Sequence, residues 1–147
     1  MTTPPRFRLL LPRSIYEEMV AHAQAELPAE CCGLLAGRLP ERGDLEAAVR
    51  VEVRYPLRNE LRSPTEYLSE PRSMFEAMRD MRKREIDVIA VYHSHPSTPP
   101  IPSKKDLDRN YSEGVINFIL GLAGPTPELR GWWLGATGYE EAGWGVG

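Results

Sequence analysis

Residues 86–96 read IDVIAVYHSHP. The first seven, Ile86 to Tyr92, form a β-branched apolar run with a single charge, the composition of a central strand buried on both faces. The run passes straight into His93-Ser94-His95 before Pro96. Side chains alternate faces along a strand, so these two imidazoles project from one face at the strand's end. Such a strand needs neighbours on both edges and a layer on each face, and the rest of the chain is read for them.

Upstream, Ile15, Met19, Ala23 and Leu27 recur at helical spacing, and Ser14 with Glu17 has the form of a capping box. This predicts a first helix over 14–26, ended by Pro28. Glu30 to Leu39 reads as a buried strand, Gly43-Asp44 as a turn and Leu45 to Tyr55 as a second strand. Pro56 to Pro71 has turn chemistry and little periodicity, which predicts a structured loop. Pro71 suits the first position of a helix, Met74, Phe75, Met78 and Met81 give it an apolar stripe, and Arg82-Lys83-Arg84 suit its C-terminus. After the Pro-rich stretch 96–102, Ser103 opens a short helix to Asn110. Val115 to Leu122 and Trp132 to Tyr139 then read as strands, and Gly143 to Gly147 as a frayed end. The order implies a mixed α/β sandwich of sheet and helices.

The 147 residues suit a single domain able to bury a core without cross-links. With 41% hydrophobic and 27% charged residues the chain is not expected to be disordered, and a net charge of −3 argues against a general nucleic-acid coat. No apolar run reaches the ~18 residues that cross a bilayer, and Met1 to Arg8 lack a signal-peptide core, so a soluble cytoplasmic protein is expected. The only cysteines, Cys31 and Cys32, are adjacent, where a disulfide would restrain almost nothing.

Two imidazoles on one face can share a metal. Asp106, past a loop able to turn back and one helical turn after Ser103, is the candidate third ligand. Two histidines, an aspartate and a water make an open tetrahedral site of the catalytic zinc type. Hydrolysis would further need an uncoordinated carboxylate as general base, for which Glu30 is the candidate, and a hydroxyl donor toward a developing oxyanion, for which Ser103 is the candidate. Taken singly each has an ordinary reading: an incidental His-x-His, a helix N-cap at Ser103-x-x-Asp106, a salt-bridging Glu30.

Taken together, Glu30, the HSHP run at 93–96, seven residues to Ser103 and two more to Asp106 reproduce Glu…His-Ser/Thr-His-x7-Ser-x2-Asp. This resembles the JAMM motif of the JAMM/MPN+ zinc metalloproteases. The resemblance extends through Glu30 to Gly37, Asn59, and Ser63-Pro64 with Tyr67 and Glu70-Pro71, which look like the short bacterial members. It implies a three-layer α/β/α sandwich with a mixed central sheet, similar to cytidine deaminases. It also implies Zn2+ held by His93, His95 and Asp106, with Glu30 as general acid/base and Ser103 supporting the oxyanion. A deaminase itself would want His-x-Glu and a Pro-Cys-x-x-Cys pair, which Cys31-Cys32 does not supply. The resemblance implies cleavage after the C-terminal Gly-Gly of a ubiquitin-like sulfur carrier protein, releasing cysteine or another adduct. Its tail is pictured along a sheet edge, in a channel that admits only glycine near the metal. Two other readings are a zinc peptidase acting on phage- or cell-wall-type peptides and a non-catalytic MPN scaffold, although scaffold versions lack the ligands present here.

Cys32 reads as a small buried core residue and His22 as a surface histidine. Trp132 and Trp133, neighbours in a strand, face opposite ways, so at most one is expected to be fully buried and the other is a candidate for a partner or homodimer surface. Arg6, Arg8 and Arg13 read as a solvated terminus or as a site of attraction for an acidic partner.

Overall fold

The computed structural model describes residues 6–39, 48–108, 114–136 and 138–147. Its strands are β1 (Arg8–Leu11), β2 (Cys32–Gly37), β3 (Ala48–Leu57), β4 (Asp87–His95), β5 (Ile116–Gly121), β6 (Glu128–Leu134), β7 (Tyr139–Glu141) and β8 (Trp144–Val146). The helices are α1 (Arg13–Glu26), α2 (Pro71–Arg84) and the short α3 (Lys104–Asp108). The strands pair in the order β7-β6-β5-β4-β2-β3-β1-β8. The β4–β5 pair is parallel, whereas β2 runs antiparallel to both β3 and β4. The IDVIAVYHSH run is therefore an interior strand, and its two histidines lie within it.

Strand β2 is buried at every position because a helix covers each face. Leu35, with Cys31 just before the strand, packs into a cluster with Ile15, Met19 and Ala23 of α1, joined by Ile89, Tyr92 and Phe118. Cys32, Leu34 and Ala36 point the other way, into a second cluster with Ala77 and Met81 of α2. The expected three-layer α/β/α arrangement follows from this alternation. Opposite Cys32, Gly33 and Leu34 stand His93, Tyr92 and Val91, so the histidine face is the α2 face.

Several local expectations are corrected. Helix α1 starts one residue early, after Pro12, with no side-chain cap; Ser14 lies inside the helix and forms no capping box. The expected strand from Trp132 to Tyr139 is a hairpin, β6 turning into β7, closed by a bond from the Gly135 N–H to the Gly138 carbonyl. The end does not fray as expected: β8 pairs in parallel with β1, and Trp144 packs edge-on against Phe118. Both tryptophans are buried, at 5% and 8% exposure, because each sheet face is covered where it emerges. Trp132 donates its indole N–H to the Pro100 carbonyl at 3.0 Å and Trp133 packs on Phe7, so neither ring offers a partner or homodimer surface. On α2 the inward stripe is Met74, Ala77 and Met81; Phe75 and Met78 are exposed. His22 is no simple surface residue, since its Nδ1 bonds the buried Tyr92 hydroxyl at 2.8 Å. Arg6 ion-pairs with Glu140. The Gly43-Asp44 turn, the start of the second strand at Leu45 and the helix end at Asn110 lie outside the described residues.

Gly33 has the tightest requirement at the core. A Cβ there would clash with the edge and hydroxyl of Tyr92, which is 1% exposed and bonded to both His22 and Arg54. Overpacking of this kind costs typically 1–3 kcal/mol. Gly33→Ala is expected to lower unfolding free energy in urea by at least about 2 kcal/mol; an unchanged midpoint would show that the Tyr92 ring can move aside.

Candidate functional site

The candidate ligands converge at the C-terminal end of β4, on the face shared with α2. His93 Nε2 lies 3.1 Å from Asp106 Oδ1, His95 Nε2 lies 3.2 Å from Asp106 Oδ2, and the two Nε2 atoms are 3.2 Å apart. All three donor groups lie within 4.8 Å of one another. Both histidines are buried, at 2% and 4% exposure.

Asp106 arrives from the connection between β4 and β5. The Ser103 N–H donates to Asp106 Oδ2 at 2.8 Å, and the Asp106 N–H donates to Ser103 Oγ at 3.1 Å. The N-cap reading of Ser103 is thus physically present, and it orients the carboxylate. Because Oγ accepts the amide, its hydroxyl proton is left for a second partner.

His95 donates from Nδ1 to the Pro99 carbonyl at 2.8 Å, which turns Nε2 to the centre. Burial opposes its protonation, but the bonds to Asp106 and Pro99 outweigh burial and raise its pKa. Asp106 behaves conversely: burial favours its neutral form, yet the bonds from His93 and His95 hold it well below the usual carboxylate range. A proton shared among these groups and a divalent cation are alternative answers to one electrostatic demand. The donor set, two imidazole nitrogens and a carboxylate oxygen, fits zinc. His93 Nδ1 is buried without a hydrogen bond, and this ring is oriented instead by stacking on Tyr67, 4.8 Å between centroids at 27°.

Glu30 sits just before β2 and is 4% exposed. Burial, the largest influence, drives its pKa up to about 8; the positive charge of His95 pulls it down and Asp106 pushes it up. Such a group can take and return a proton near neutrality. Its backbone is clamped by the 58–70 segment. The Glu30 N–H donates to the Ser63 carbonyl at 2.8 Å, and the Asn59 amide donates to the Glu30 carbonyl at 3.0 Å and to Glu66 at 3.1 Å. Asn59 Oδ1 also accepts the Leu61 and Leu68 amides, so one buried carboxamide shapes this wall of the site.

All five sequence candidates are therefore brought to one region: His93, His95 and Asp106 in contact, Ser103 bonded to Asp106, and Glu30 within electrostatic reach of His95 and Asp106. Reading for chemistry alone does not find Tyr67 as the ring under His93, the Pro99 carbonyl, or Asn59 as organiser. Asn59 and Tyr67 stood out only as flanking matches, and no local spacing announces their contacts. Cys32 lines the adjoining cleft but is not among the clustered donors. Both cysteines are free, and burial raises Cys32 to about 12, keeping it a thiol.

A mixed sheet with helices on both faces, carrying a His-x-His pair and a converging aspartate beside a buried glutamate, has the form of a metal-assisted hydrolase centre. The chain belongs to the prokaryotic JAB family: the family model described as prokaryotic homologs of the JAB domain matches residues 12–135. A desampylase of Pyrococcus furiosus is 32% identical over 126 residues, covering 86% of this chain and 81% of that protein. A probable TtuB-protein conjugate cleaving protease of Thermus thermophilus is 37% identical over 100 residues, 67% of this chain, and the match spans 61% of that relative's length. The solution structure of a Desulfitobacterium hafniense protein superposes with a TM-score of 0.83 at 35% identity, covering 95% of this chain and 92% of that one.

The raised Glu30 pKa has a thermodynamic consequence. The folded chain holds the Glu30 proton from pH 4.5 to about 8, whereas an unfolded chain loses it near 4.5, so Glu30 costs stability increasingly as pH rises through that window. With chelator present, Glu30→Gln is expected to melt at the parent's temperature near pH 4.5 and progressively above it toward pH 8.5. A gap independent of pH would mean that Glu30 is not held protonated.

Proposed function

We propose that this chain is a zinc-dependent metallopeptidase of the JAMM type that hydrolyses the bond after the C-terminal Gly-Gly of a ubiquitin-like sulfur carrier protein. The observation that carries the reading is the convergence of His93, His95 and Asp106 beside the buried, weakly acidic Glu30. The relatives' names, a conjugate-cleaving protease and a desampylase, support the substrate class. The proposal treats the described region as one domain acting in the cytoplasm; no helix among the described residues is long and apolar enough to cross a membrane.

When bound, zinc would polarise the scissile carbonyl and bring a water toward a pKa of about 7. Glu30 is assigned to take a proton from the attacking water and return it to the leaving amine, and the burial that raises its pKa in the metal-free chain makes it a stronger base than an ordinary carboxylate. Ser103, capping α3 with no acceptor for its hydroxyl proton among the described residues, is assigned to donate to the oxyanion. Pro99 and Tyr67 hold the imidazoles in place.

The tail is placed differently from the sheet-edge picture. Among the described residues, strand β4 is paired on both edges, with β2 and β5, at the histidines. The open path is instead over the sheet's face, in a cleft of about 730 Å3 walled by α2 and the 57–69 segment and ending at His93 and Asp106. A main chain brought close to the buried His93 would favour residues without side chains, which supports the Gly-Gly reading.

The test is intact-mass analysis of Gly-Gly-ending carriers bearing a C-terminal cysteine, a short peptide or a lysine-linked protein. Chelator-sensitive mass loss after Gly-Gly is expected, with Glu30→Gln retaining zinc and losing roughly 10²–10⁴-fold in rate. Metal-loaded protein that leaves every conjugate intact, or a Glu30→Gln variant as fast as the parent, would contradict the proposal.

A further inference from the structure

The cleft is lined largely by apolar residues, among them Leu57, Met74, Val88, Val91 and Leu134, with the exposed Met78 beside them. Asn117 breaks that pattern. It lies mid-strand on β5, level with Val91 of β4 and Trp132 of β6, and borders the cleft. It is only 6% exposed. Among the described residues its carboxamide makes a single hydrogen bond, from Nδ2 to the Val115 carbonyl at 3.5 Å, the long limit of such contacts. That bond stays within the neighbourhood of its own strand and ties no two elements together. Its Oδ1 accepts no donor there. Oδ1 is not sealed in the core, because among the described residues the buried side-chain polar atom left without a partner is His93 Nδ1; the Asn117 acceptor therefore opens onto the cleft.

We infer that Asn117 is a substrate-binding residue that grips the main chain of the tail lying in the cleft, Oδ1 accepting a peptide N–H and Nδ2 donating to a peptide carbonyl. The inference rests on the carrier-tail reading above and deepens it. Asn117 pairs with Val91, two residues before His93. In sheet geometry it is thus about 7 Å along and about 5 Å across from the first ligand. An extended chain advances about 3.3 Å per residue, so Asn117 meets the tail two or three residues on the carrier side of the scissile carbonyl. The carboxamide reads main chain alone, so it fixes the register of the tail and lets the apolar walls select the side chains upstream of Gly-Gly. The cleft, at about 730 Å3, has room for several residues and not only for a released amino acid.

The experiment uses the zinc-loaded chain and a Gly-Gly-ending carrier with C-terminal cysteine. Asn117→Leu and Asn117→Ala, each first checked for parent-like melting, are expected to raise KM about tenfold with kcat changing far less. A second measurement takes tail peptides N-methylated at one amide at a time. The parent should lose about tenfold at a single position two or three residues before the scissile bond, and Asn117→Leu should show no loss there. A merely structural role would leave the two profiles identical. Unchanged KM in a folded variant, or matching N-methyl profiles, overturns the assignment while leaving the peptidase reading intact. If neither variant folds, a flat N-methyl profile for the parent overturns it, and a single sensitive position supports it. A zinc-loaded parent that cleaves no conjugate ends the carrier reading, and this inference with it.

Discussion

The carboxylate of Asp106, shared between two imidazoles, is the contact on which the site's architecture depends. One oxygen faces His93 and the other His95, at 3.1 and 3.2 Å. The helix that carries it offers no buried anchor of its own, because α3 is five residues long and buries none of them. Around it, buried Pro100 and Pro102 and a set of polar contacts do the fastening: the reciprocal Ser103–Asp106 bonds, His95 to Pro99, Trp132 to Pro100, and the Lys105–Glu66 ion pair. A divalent cation held by these donors would fasten the same segment further.

The rest of the site follows from a sheet covered on both faces. The α1 face is committed to packing, and the polar cluster described there, Tyr92 with His22 and Arg54, is internally satisfied. On the α2 face the helix is set toward the start of β4, leaving the histidine end beside a cleft. Glu30 is shielded from water by a segment that Asn59 folds around it, and this burial makes a carboxylic acid basic enough to serve as a proton carrier. Structural polarity and chemical polarity are thus kept on opposite sides of one strand, whose Tyr92 and His93 point apart.

Much of this was legible in the chain. The run from Ile86 to Tyr92 announced an interior strand, and period-two alternation put His93 and His95 on one face without any structure. The spacing to Ser103 and Asp106 was equally readable, since a helical turn and its cap are local. Glu30 was different: nothing local marks it among the acidic residues, and it entered through the motif as a whole. What stayed illegible is long-range. The parallel pairing of β8 with β1 unites the two ends of the described chain, and no periodicity in Gly143 to Gly147 foretells it. The hairpin turns at Gly135 and Gly138, glycines that break a stretch whose other residues, Trp132 to Tyr139, have the composition of one strand. Trp132 and Trp133 were assigned to opposite faces correctly, but the sequence does not say that both faces are covered there. Phe75 and Met78 show the converse, apolar residues at helical spacing that the sheet does not reach.

The central claim is that His93, His95 and Asp106 form one metal site from which the neighbouring thiol is excluded. X-ray absorption at the zinc edge tests it most directly. The account predicts one zinc per chain with two imidazoles and otherwise oxygen or nitrogen ligands at about 2.0–2.2 Å, unchanged when Cys32 is replaced by alanine. A sulfur scatterer near 2.3 Å, or a spectrum with fewer than two imidazoles, would contradict it.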